Sequence, residues 1–203
     1  MPRALRPAFL ALWRLDLAFA DVVSTSSDPR LGAIRLAWWR EHLEALDDDG
    51  AAPAEPRLLA VAAELLPKGV TGKELSQLED SWQPLLEPFP WHDLQAEGLM
   101  LRGRVLFGIG ARLIGAAAEE AEHAGALWSL VDGEHHCSDR RSREMLRRRA
   151  AAVLAETHGS MPRSSRALTV LAALAAADLV REGSGFRRMS AAVKHRLTGR
   201  FPR

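Results

Sequence analysis

Apolar residues recur at spacings of three and four along almost the whole chain, the period of a helix with one face turned to a core. Residues 7–23 carry Phe9, Leu12, Trp13 and Leu17 on one such face. A Ser-Thr-Ser-Ser-Asp-Pro stretch at 24–29 then stops the helix and supplies cap chemistry for the next. That second helix, over 30–46, places Leu31, Ile34, Trp38 and Leu46 on an apolar stripe, with Arg35, Arg40 and Glu41 around its other faces. Residues 47–56, rich in Asp, Ala and Pro, read as a linker. Two shorter helices follow over 57–66 and 71–86, divided by Pro67 and Gly69, and Pro84, Pro88 and Pro90 close the section. The long amphipathic stretch at 91–118 contains Gly98, Gly103, Gly108, Gly110 and Gly115. A glycine costs about 1 kcal/mol inside a helix, so this many predict kinks or a close backbone approach to a neighbour. Further helices are expected over 119–136, 140–157, 164–181 and 184–197, and the Ala-rich run 167–177, apolar nearly all round, predicts a buried one.

Composition strengthens the helical reading: tyrosine is absent, β-branched runs are few, and Ala, Leu, Arg and Glu dominate every long segment. The chain is predicted to be all-α, and its 203 residues suit a single domain. Lys and Arg number 27 against 26 Asp and Glu, a formal charge of +1, which argues against a protein built to hold specific nucleic acid. The balance is uneven, however. No acid follows Glu182, whereas Arg187, Arg188, Lys194, Arg196, Arg200 and Arg203 do. This basic tail, 184–203, reads first as a solvated helix face and second as a peripheral contact with an anionic membrane surface. One cysteine, Cys137, excludes an internal disulfide and fits a reducing, cytoplasmic setting. Arg14, Asp16 and Asp21 interrupt the apolar start, and no uninterrupted run reaches the ~18 residues that a spanning helix needs.

The stretch Ser27-Asp28-Pro29-Arg30-Leu31-Gly32-Ala33-Ile34-Arg35-Leu36-Ala37-Trp38-Trp39-Arg40-Glu41 resembles one found in squalene/phytoene synthase-type proteins. There a helix enters through a Pro-x-Leu-Gly turn and continues Ile-Arg-Leu-x-Trp-Trp-Arg. The likeness is firm over 7–46 and weaker over most of the remainder, including the glycine-containing central helix and the Ala124-Gly125-Ala126-Leu127-Trp128 segment. The resemblance implies one domain over 1–203 with the isoprenoid synthase fold, about eight or nine helices around a central cavity for polyprenyl diphosphates. It also implies chemistry. Two prenyl diphosphates are joined head to head after one loses pyrophosphate, and Mg²⁺ neutralises the leaving group. Two Asp-x-x-x-Asp motifs on facing helices hold those ions, since residues four apart share one helix face.

Neither motif is intact here. Aligned on Trp13-Arg14-Leu15, the acids of the first would fall at Ala20 and Ser24, with only Asp21 beside them. The second would follow residues 124–130, where Asp132, Glu134 and Asp139 lack the required spacing. No two aspartates anywhere in the chain are four apart, and the mixed pairs Glu44/Asp48, Asp93/Glu97 and Asp178/Glu182 read as solvated helix surface. The expectation is a catalytically degenerate protein of this type, without a cofactor, acting as a scaffold for a protein partner or holding a lipid-like ligand. Its Pro-x-Leu-Gly stretch looks most like a smaller branch resembling assembly factors of respiratory complex I. The alternative is an active prenyl transferase with a displaced acidic set. Asp21, Asp132 and Asp139 would then be catalytic, Asp16 and Asp21 would bind Mg²⁺, and Arg35, Arg140 and Arg141 would contact diphosphate.

Glu134, His135, His136, Cys137 and Asp139 also invite a zinc reading, with His123 as a further ligand. Consecutive helical side chains point ~100° apart and cannot converge on one ion, so a polar helix end is the better reading. Arg140, Arg141, Arg143, Arg147, Arg148 and Arg149 form a basic cluster that reads equally as a diphosphate complement or as an exposed helix face. Trp38 and Trp39 are adjacent and face different directions, one to the core and the other to a groove or partner.

Overall fold

The cap expected within 24–29 falls at Asp28, ahead of the second helix of the computed structural model. It describes residues 3–48, 52–157, 159–180 and 185–202. Part of the expected linker (49–51), Glu182, Ser184 and Arg203 lie outside the described residues. All regular structure among the described residues is helical: α1 (Arg6–Thr25), α2 (Pro29–Ala45), α3 (Pro56–Glu64), α4 (Gly72–Trp82), α5 (Asp93–Leu113), α6 (Ala118–His136), α7 (Arg140–Glu156), α8 (Arg166–Val180) and α9 (Gly185–Thr198), with short 3-10 turns at several ends. No helix among them is long and apolar enough to cross a membrane. The chain divides into two compact units, 1–88 and 89–203.

In the first unit the side chain of Asp28 accepts from the Arg30 amide at 2.8 Å and Pro29 opens α2, the expected start. Asp47, just past α2, accepts from the amides of Gly72 (2.6 Å) and Lys73 (2.9 Å), so the end of one helix caps the start of another. Helix α1 packs against α2, α3 and α4. Its Leu12, Leu15, Ala18 and Phe19 are fully buried, each large side chain contributing about 1.5–3 kcal/mol by leaving water. Arg40 of α2 reaches Glu79 of α4, donating from Nε at 2.7 Å, and also pairs with Asp80. Glu79 is wholly buried and accepts at its other oxygen from Gln83 at 2.8 Å. Burial pushes its carboxyl above the ordinary range, with Arg40 working in the opposite direction.

Helix α2 departs from the single apolar stripe that its spacing predicts. Leu36, Trp39 and Leu43 face the core, Trp39 edge-on to Phe19 with ring centroids 5.7 Å apart. Leu31, Ile34 and Trp38 are exposed, and Trp38 stacks on His42. The helix has two apolar stripes, and periodicity alone does not say which one is buried.

The second unit is organised by α5 and α6, which run antiparallel in close contact. A methyl group at Gly103 would land on the backbone carbonyl of Gly125, and one at Gly125 on the carbonyl of Gly103. The glycines of the central stretch thus serve a close approach rather than a break: α5 is one continuous helix from Asp93 to Leu113. Helix α6 in turn carries α7 and α8, and α9 packs on α8. The Ala-rich α8 buries Leu168, Ala172, Ala173 and Ala176, as expected. Arg147 of α7 donates to the carbonyls of Asp178 (3.3 Å) and Leu179 (3.1 Å), satisfying the C-terminal end of α8. His195 anchors α9: its Nε2 lies 2.9 Å from Thr169 Oγ1 and its Nδ1 3.2 Å from the Arg200 carbonyl. A carbonyl only accepts, so the neutral ring carries its proton on Nδ1.

Two outcomes follow from this packing. Gly103→Ala forces backbone apart and should cost about 1–3 kcal/mol or more, whereas Gly133→Ala meets the side chain of Leu99 and no backbone, and recovers helix propensity, so it should cost less. Urea denaturation of the two variants checks the order. Burial holds His195 below its ordinary value of 6.5; the Arg200 carbonyl opposes this and Arg166 adds to it. The unfolded chain therefore binds the proton better than the folded one. Stability from this group is full above pH 6.5 and is lost as the pH falls through and below it. His195→Gln should flatten that part of the pH–stability curve, measured by thermal melts in a buffer series.

Candidate functional site

The residues around the two expected acid motifs are positioned by α1 and α2 in the first unit and by α5, α6 and α7 in the second. On α1, Asp16 and Asp21 are five residues apart and so point about 140° from each other. Asp16 is buried among core residues and accepts from Trp82 Nε1 at 2.9 Å. Asp21 is exposed and lies 3.4 Å from Arg57. One faces the core and the other solvent, so the two do not present a joint clamp to one cation. Ala20 and Ser24, where the motif acids would stand, supply no carboxylate. Arg35 donates to the hydroxyls of Thr25 (3.1 Å) and Ser26 (3.2 Å), closing the turn between α1 and α2.

In the second unit Asp132 of α6 is half-buried and accepts from Arg102 of α5 at 2.7 Å. Arg102 is itself only 5% exposed, and its guanidinium lies 4.8 Å from the Trp128 ring centroid. The Trp128 ring in turn stacks on Phe107. The close Gly103/Gly125 crossing is what lets Arg102 reach across. One turn beyond Asp132 stands His136, whose Nδ1 lies 2.8 Å from the Asp132 carbonyl, so a second acid four residues on is replaced by imidazole. Beside this pair a small cleft is lined by Trp128, Asp132, Leu171, Leu174, Asp178 and Arg188. Its lining combines apolar side chains with charges of both signs.

Asp139 is a helix cap. It accepts from the Ser142 amide at 2.8 Å and the Ser142 hydroxyl at 2.7 Å, and these bonds hold its carboxyl below the usual range. Arg140 pairs with Glu144 one turn on, and Arg141 is exposed at the start of α7. Within the basic cluster, Arg147 also pairs with Glu134, and Arg149 pairs with Glu97. The candidate zinc set is dispersed in the same way. His123 lies against the Val153 carbonyl, and Cys137 is buried at the end of α6 with its thiol pushed up by that burial. Among the described residues no three His, Cys, Asp or Glu side chains form a metal-binding group.

Arg102 and Trp128 are the residues of this region that sequence spacing does not single out. An arginine beside a helical glycine is the available signal, but its partner lies 30 positions away and no local pattern names it.

Residues 1–83 match the family model of squalene/phytoene synthase, a span inside the first unit that contains the Pro29–Arg40 stretch. No curated protein and no solved structure matches the chain.

The Arg102–Asp132 pair yields a measurable asymmetry. Asp132→Ala removes the carboxylate that balances a buried cation and should cost about 1–3 kcal/mol. Arg102→Met keeps the apolar stem and leaves a carboxylate that water still reaches, so its loss in urea denaturation should be smaller.

Proposed function

We propose that the chain is a squalene/phytoene synthase-like protein whose acidic site is degenerate, and that it acts as a helical scaffold for a protein partner or a lipid-like chain rather than as a prenyl transferase. The observation that carries this reading is the pairing of Asp132 with the buried Arg102 at 2.7 Å. A carboxylate that clamps Mg²⁺ must offer its charge to the ion, and here an internal cation already balances it. Two other acids of the displaced set support the same reading: Asp16 holds a tryptophan and Asp139 caps a helix. The family match over 1–83 supports the likeness, and the exposed Leu31, Ile34 and Trp38 on the best-matching helix support a binding role.

Within that reading the Pro-x-Leu-Gly-x-Ile-Arg-Leu-x-Trp-Trp-Arg stretch favours the branch that resembles assembly factors of respiratory complex I. The lone, buried Cys137 supports a reducing, cytoplasmic setting.

Purified protein given farnesyl or geranylgeranyl diphosphate with Mg²⁺ should release no pyrophosphate above the protein-free rate in a coupled assay. Steady release that disappears in Asp21→Ala and Asp132→Ala variants would establish the enzyme instead.

A further inference from the structure

Helix α9 presents an apolar stripe to solvent. Phe186 (83% exposed), Met189, Val193 and Leu197 (73% exposed) follow each other at spacings of three and four, within about 80° of one face. The opposite face is tied down. Ala191 and His195 are buried, His195 meets Thr169 of α8, and Arg166 of α8 donates to the Leu197 carbonyl at 2.7 Å. The exposed stripe is thus the outer face of a docked helix, not the inner face of a displaced one.

Charge says what would cover it. At 100° per residue, Lys194 and Arg187 lie about 100° and 120° from the centre of the stripe on one side and Arg196 about 60° on the other. The helix has no acidic residue, and Arg200 follows it. A protein partner's rim is polar with charges of both signs, whereas the charges bordering this stripe are all positive. An apolar ridge bordered on both flanks by cations, with the far face polar or docked, fits a boundary at which hydrocarbon meets a layer of anions. The long Lys and Arg stems lie along the apolar layer while their heads reach the phosphates.

We propose that α9 lies flat on an anionic lipid surface, with Phe186, Met189, Val193 and Leu197 entering the acyl boundary and Arg187, Lys194 and Arg196 contacting headgroup phosphates. This holds whether or not the family reading is right, because it uses α8 and α9 alone. The attachment is peripheral, as no described helix can span a bilayer.

Vesicle co-sedimentation of the full chain tests it. Wild type should sediment with phosphatidylcholine–phosphatidylglycerol vesicles, weakly with phosphatidylcholine alone, and less at high salt. Phe186→Ser with Leu197→Ser should lower partition by about tenfold while circular dichroism and melting temperature stay unchanged, because both side chains are exposed. Arg187→Glu with Lys194→Glu should abolish the preference for anionic lipid. Partition of either double variant within about twofold of wild type would overturn the proposal. So would a wild type that ignores vesicles and runs as a dimer that the Ser variant dissociates, since the stripe would then belong to a second copy.

Discussion

Two glycines set the geometry of the second unit. Gly103 and Gly125 bring the backbones of α5 and α6 together so closely that neither position has room for a β-carbon. The antiparallel register that results places Leu99 beside Gly133 and Arg102 beside both Ser129 and Asp132. Everything further out depends on that register, because α6 carries α7 and α8, and α8 carries α9. A larger residue at the crossing would separate the backbones by more than side-chain adjustment could absorb. Arg102 would then lose its reach to Asp132, and with it the compensation for a buried charge.

The fate of the acidic residues follows from such local needs. A carboxylate near a helix start is drawn to free amides, and Asp28, Asp47 and Asp139 each serve in that way. A carboxylate inside the packing must find a donor or a cation: Asp16 finds Trp82, Glu79 finds Arg40, and Asp132 finds Arg102. An enzyme site requires the reverse arrangement, in which carboxylates are held close together and left without internal cations so that metal ions become their partners.

The two helices with exposed apolar stripes make a related point. Both α2 and α9 carry apolar residues at helical spacing on the solvent side: Leu31, Ile34 and Trp38 on the one, Phe186, Met189, Val193 and Leu197 on the other. What separates them is the charge beside the stripe. On α9 every flanking charge is positive, whereas the neighbourhood of Trp38 mixes Arg35 with Glu41. That difference suits α9 to an anionic surface and leaves α2 without a comparable preference.

The sequence by itself determined the helical class, most helix ends, the capping stretch at 24–29 before α2, the buried character of α8 and the absence of any two aspartates four apart. These depend on spacing, caps and turn residues, which act within a few positions of each other. It also determined that the glycines of the central stretch needed an explanation, though not which of the two it would be. Only the tertiary structure decided that Gly103 serves a helix crossing, that Arg102 neutralises Asp132, that Trp39 rather than Trp38 enters the core, and that the periodic face of α9 looks outward. Each of these is settled by a residue some 20 to 30 positions away or by which of two apolar faces meets a neighbour. Periodicity reports that a face is apolar; packing against another helix decides whether it is covered.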